Sequence, residues 1–67
     1  MKKLIIKLDN IVYKFTFRED GLFYYKSTNK GINFGYEIKV DEEQTAELES
    51  LGFVIDLEKQ TISHPNE

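Results

Sequence analysis

Residues 3–18 alternate apolar and polar side chains with a period of two, broken once at Asp9-Asn10, and that pattern specifies a β-hairpin. Leu4, Ile6 and Leu8 fall on one side of the first segment and Lys3, Ile5 and Lys7 on the other. Ile11, Tyr13, Phe15 and Phe17 then alternate with Val12, Lys14, Thr16 and Arg18. β-Branched and aromatic residues at this period suit a pleated, half-buried surface. Asp and Asn tolerate the left-handed backbone that a two-residue hairpin loop requires. Such a loop sets Leu8 opposite Ile11, Ile6 opposite Tyr13 and Leu4 opposite Phe15, so the apolar sets share one face.

The second reversal, around Glu19-Asp20-Gly21, offers two registers. A two-residue Asp20-Gly21 loop pairs Phe15 with Lys26 and Phe17 with Tyr24. A three-residue loop, with Gly21 left-handed in a bulge, pairs Phe17 with Phe23 and Phe15 with Tyr25. A slip of one residue moves every side chain to the other face, so burial should choose, and it favours the three-residue loop. A third turn, Thr28-Asn29-Lys30-Gly31, then pairs Tyr25 with Phe34 and Phe23 with Tyr36. In this register Tyr24 lies on the outer face opposite Gly35, where its ring covers a strand glycine.

Asp41 reads as a helix N-cap, with Gln44 completing a capping-box-like pair and Glu42 and Glu43 in the first turn, where the helix dipole favours negative charge. Gly52 is the expected C-terminal cap. Thr45, Leu48 and Leu51 form a narrow apolar stripe. Phe53, Ile55 and Leu57 resume alternation, facing Ile62 across Glu58-Lys59, and Pro65 stops the pairing. The predicted fold is α+β: a four-stranded antiparallel meander (3–9, 11–18, 22–27, 32–40), a short helix (42–51) on one face, and a C-terminal hairpin or edge strand (53–57, 60–64).

The 67 residues suffice for a single small domain, and with no cysteine the core has no disulfide to reinforce it. The inner face of the meander carries many large rings, whereas the helix returns little beyond Leu48 and Leu51. Burial contributes roughly 25 cal/mol per Å², so wet rings would forgo several kcal/mol. Either the C-terminal hairpin folds back over them or a second copy of the chain covers them in a homodimer. The apolar run after Met1-Lys2-Lys3 is too short for a signal peptide, and no stretch reaches the roughly 20 residues of a membrane helix, so the reading is a cytoplasmic protein with no membrane partner.

The residues argue against catalysis. Nucleophilic chemistry needs an activated nucleophile with a positioned base. There is no cysteine, and the single histidine, His64, stands near the chain end beside Pro65, a position expected to be exposed. Asp41-Glu42-Glu43 is accounted for by capping, so no metal site is expected. Gly31-Ile32-Asn33-Phe34-Gly35 lacks the spacing and the Lys-Ser/Thr ending of a phosphate loop. The expectation is a non-enzyme without cofactor.

Charge is divided along the chain. Residues 1–40 hold eight basic and four acidic side chains, whereas residues 41–67 hold one lysine and eight acids. Two binding surfaces follow. Glu42, Glu43, Glu47 and Glu49 could present an acidic helix to a basic groove of a protein partner. Lys3, Lys7, Lys14, Arg18, Lys26 and Tyr24 would form a basic outer sheet face, and interleaved cations and rings are what single-stranded nucleic acid binders use. The first surface is preferred, because a sequence pI near 5.1 opposes nucleic-acid affinity. A short cysteine-free chain rich in Lys, Ile, Asn, Tyr and Phe is common in low-GC bacteria and their phages. The functional expectation is therefore a protein-interaction module, a phage or mobile-element regulator or inhibitor of a host protein, with nucleic-acid binding as the alternative.

Overall fold

The alternating segments form the first hairpin, β1 (Lys2–Leu8) and β2 (Ile11–Arg18), in the expected register: Leu8 faces Ile11, Ile6 faces Tyr13 and Leu4 faces Phe15. Asp9 takes the left-handed conformation in the loop (φ 54°). A computed structural model describes residues 2–28, 30–32 and 35–66. After the hairpin come β3 (Gly21–Thr28), β4 (Ile38–Lys39), α1 (Glu42–Ser50), β5 (Val54–Asp56) and β6 (Thr61–Ser63). β1 to β4 make an antiparallel sheet in chain order, and β5 and β6 pair separately. The α+β architecture is the one the sequence implies.

The second turn differs from both registers weighed above. Its loop is Glu19-Asp20, and Gly21 stands within the ladder opposite Arg18, with φ of 136°. Phe15 therefore faces Tyr24 and Phe17 faces Leu22. This register is one residue from the expected one, so the β3 side chains exchange faces. Tyr24 is buried in the core, and Lys26, opposite Tyr13, lies on the inner side with it. Phe23 and Tyr25 turn outward and are half-buried.

β4 is also shorter than the expected strand and differently aligned, with Phe23 opposite Lys39 and Tyr24 opposite Ile38. Gly35 is exposed and does not face Tyr24, and Tyr36 is 93% exposed. The turn itself falls where the sequence puts it, closed by hydrogen bonds from the Gly31 N–H to the Thr28 carbonyl (3.0 Å) and from the Thr28 N–H to the Ile32 carbonyl (2.8 Å); the strand pairing after it is what differs. The expected Tyr25–Phe34 pair and the place of Asn29 in this turn lie outside the described residues.

α1 begins at Asp41, whose carboxylate accepts the Gln44 N–H at 2.9 Å. The Gln44 side chain does not return to the cap. Its Oε1 accepts the Tyr24 hydroxyl at 3.2 Å, tying helix to sheet. At the other end the Gly52 N–H reaches the Glu49 carbonyl (3.0 Å) and the Phe53 N–H reaches the Leu48 carbonyl (3.2 Å), the two bonds of a Schellman motif. Gly52 supplies the positive φ (103°). The motif turns Phe53 back beneath the helix, where it joins Leu48 in the core.

Leu48 and Phe15 are fully buried, and Phe53 packs edge-on against Tyr13 (4.9 Å between ring centroids) and Phe15 (5.5 Å). Ile62 closes the same cluster from β6, opposite Ile55. The hairpin thus supplies the cover for which a second copy was the alternative. Leu51 and Leu57, expected to face inward, are 50% and 63% exposed. Leu51 follows the last helical turn, and Leu57 falls in a four-residue loop (57–60) held by the Lys59 N–H donating to Asp56 (3.0 Å).

His64 is not a loose terminal residue. Its Nδ1 accepts the Asn66 N–H (3.1 Å), so Nε2 carries the proton and donates to the Leu51 carbonyl (2.7 Å). The ring also packs edge-on against Phe53, with centroids 5.0 Å apart. It therefore staples the end of the chain to the helix C-terminus.

Candidate functional site

Two exterior surfaces remain once the core is closed. The first is the solvent side of α1. Glu42, Glu43, Glu47 and Glu49 are all exposed, as the sequence implies. Among the described residues the only ion pair is Arg18–Glu37, so none of the four is neutralised by a neighbouring cation. The helix has no basic residue in its last turn. Glu47 lies close enough to Tyr24 to add to burial in raising that phenol above its usual value, with Tyr13 contributing after it. Tyr13 is raised by burial alone.

The second surface is the outer face of the sheet. The ladders set Lys3, Thr16, Phe23 and Lys39 in one cross-strand row, Ile5, Lys14 and Tyr25 in the next, and Lys7, Val12 and Ser27 in a third. Val12, Thr16 and Ser27 are small and buried, leaving taller neighbours to form the relief. Of the residues expected here, Lys3, Lys7, Lys14 and Arg18 are in place; Tyr24 and Lys26 are not, and Phe23 and Tyr25 stand in their stead. The Arg18 guanidinium lies 4.5 Å from the Phe23 ring centroid and pairs with Glu37. The Lys14 ammonium lies 5.4 Å from the Tyr25 ring centroid. Lys3, Ile5, Lys14, Arg18, Tyr25 and Glu37 line an open depression of about 320 Å³.

The sequence places Glu37 on this face as an interruption of the basic patch, but not Phe23 and Tyr25. The signal for the two rings was the parity of Lys14 and Arg18, which dictates their cross-strand neighbours once the loop length is known. Nothing local to Glu37 marked its pairing with a residue 19 positions away.

Among the described residues no cluster of His, Asp and Glu side chains is arranged to hold a metal ion. Among them, too, no helix is long and apolar enough to cross a membrane. Comparison with protein-family models, curated proteins and solved structures finds no match for this chain.

Proposed function

We propose that this chain is a non-enzymatic protein-interaction module that docks the acidic face of α1 onto a basic surface of another protein. The observation that supports this most is the presence of Glu47 and Glu49 late in α1 without a cation to pair with. Glu42 and Glu43 stabilise the first turn through the helix dipole, but acids at the C-terminal end oppose it, by roughly 0.3–1 kcal/mol each when exposed. Glu43 and Glu47, four residues apart, also repel each other by a few tenths of a kcal/mol. Helix stability does not account for them; an electrostatic docking role does. The reading extends to a cytoplasmic regulator or inhibitor of a host protein, of the kind that phages and mobile elements encode, acting without a cofactor.

Affinity capture from a native lysate with the wild-type chain and with a Glu43→Lys/Glu47→Lys variant tests it. The expected result is a partner retained by the wild-type chain, released at high ionic strength and absent from the variant eluate. Recovery of the same partner by the charge-reversed chain would exclude the helix face.

A further inference from the structure

We propose that the outer face of the sheet binds single-stranded nucleic acid, with Phe23 and Tyr25 as platforms for two bases and Lys14, Arg18 and Lys3 on the phosphates. This site is separate from α1 and does not depend on the acidic-helix reading. Phe23 and Tyr25 stand two residues apart on one face of β3, about 6.6–6.8 Å along the strand. Four-stranded sheets that recognise single-stranded RNA use the same device, stacking two or three bases on rings of one face. Stacking is tolerant of sequence because every base has a π-face.

Each ring is already capped by a cation, Arg18 on Phe23 and Lys14 on Tyr25. An exposed cation holds a ring less strongly than a stacked base does. The cap is therefore exchangeable: a base takes the ring, and the displaced cation moves to the adjoining phosphate. Ile5, 62% exposed beside Lys14 in the ladder, offers apolar contact to a neighbouring base. The charge of this face is locally positive, with Lys3, Lys7, Lys14, Arg18 and Lys39 against Glu37. Of the helix glutamates Glu47 lines a depression with Tyr25; the others lie a layer away on the other side of the sheet, at roughly 10 Å. That is comparable to the screening length of about 8 Å at physiological ionic strength. The overall charge of −3 consequently does not describe the potential at this face.

Fluorescence polarisation of a fluorescein-labelled 12-nucleotide oligo(dT), free or annealed to oligo(dA), tests the proposal at about 50 and 200 mM salt. The expected result is saturable binding of the single strand, weaker binding of the duplex, and affinity that falls with salt. Lys14→Glu/Arg18→Glu should abolish binding. Tyr25→Leu, which keeps an apolar side chain but no stacking surface, should weaken it at least fivefold, with circular dichroism confirming the fold. Glu37→Gln frees Arg18 and removes the repelling carboxylate, so it should tighten binding. Glu42→Gln/Glu49→Gln, exposed on α1 and away from both rings, should leave it within about twofold. Absence of salt-dependent binding would overturn the proposal, as would equal binding of duplex and single strand. An affinity unmoved by both Tyr25→Leu and Glu37→Gln would do the same.

Discussion

Phe15, Tyr24 and Phe53 on the inner side of the sheet and Phe23 and Tyr25 on its outer side are the same two residue types, yet they meet different fates. The inner rings are sealed by the Leu48 side chain of α1 and by the hairpin that Gly52 turns back beneath it. The outer rings have no second layer among the described residues, and their cover is Lys14 and Arg18 from the adjacent strand. A packed layer is removed only by unfolding. A cation on a flexible stem can leave while the sheet stays intact, so β3 builds stability with one face and leaves the rings of the other only half-covered.

Truncation on the two faces should differ sharply. Phe53→Ala removes a ring that touches Tyr13, Phe15 and His64, and should cost about 3–5 kcal/mol. For a domain of this size that is most of the folding free energy, and urea denaturation should find the variant largely unfolded. Phe23→Ala, at a half-buried position, should cost about 1 kcal/mol and leave a cooperative transition. Equal costs at the two positions would erase the distinction between the faces.

A smaller effect is expected where the hairpin is joined to the helix. Gly52→Ala forces a side chain into a positive-φ position, and its Cβ would lie 2.8 Å from Nε2 of His64. The backbone alone should cost about 1–2 kcal/mol, with His64 displaced from the Leu51 carbonyl. Thermal denaturation together with loss of the His64–Phe53 ring contact in NMR spectra checks both parts.

Asp41→Ala, which deletes the N-cap bond to Gln44, should cost about 1 kcal/mol in chemical denaturation. Gln44 should keep its bond to Tyr24, because that contact belongs to the sheet interface and not to the cap.

The mildest perturbation is alkaline pH. Tyr24 and Tyr13 are raised above the usual phenol value of about 10, which favours their neutral forms in the folded chain. In the unfolded chain these phenols ionise at the usual value, so the folded state binds more protons above pH of about 10. Their contribution is fully present below that pH and is lost as pH rises through the folded-state values. Melting temperature should fall across that range, and less steeply for a Tyr24→Phe variant.

How much of this was legible in the sequence depended on whether one parity of a strand was apolar. In β1 and β2 the inward parity is apolar from Leu4 to Phe17, with Lys2 alone excepted, and Asp9-Asn10 fixes the loop length, so the register followed directly. In β3 the run Leu22-Phe23-Tyr24-Tyr25 is apolar on both parities, so the burial argument that favoured the three-residue loop fits the observed register equally well. Gly21 then misled: its positive φ serves a ladder position opposite Arg18, not a bulge. Asp41 and Gly52 marked both helix ends because capping is local. The Gln44–Tyr24, Arg18–Glu37 and His64–Leu51 contacts join distant segments, and no local pattern announces them. The acidic helix was legible as an exposed feature, whereas the composition of the basic face hung on the one register that parity left open.

Cross-strand nuclear Overhauser effects between Hα protons of β2 and β3 test that register most directly. Pairs without mutual hydrogen bonds bring Cα atoms to about 4.5 Å, and the ladder places Phe15–Tyr24 and Phe17–Leu22 in that class. Strong Hα–Hα signals for these two pairs are the predicted result. Signals joining Phe15 to Tyr25 and Phe17 to Phe23 would return Tyr24 to the outer face and contradict the division of the rings described above.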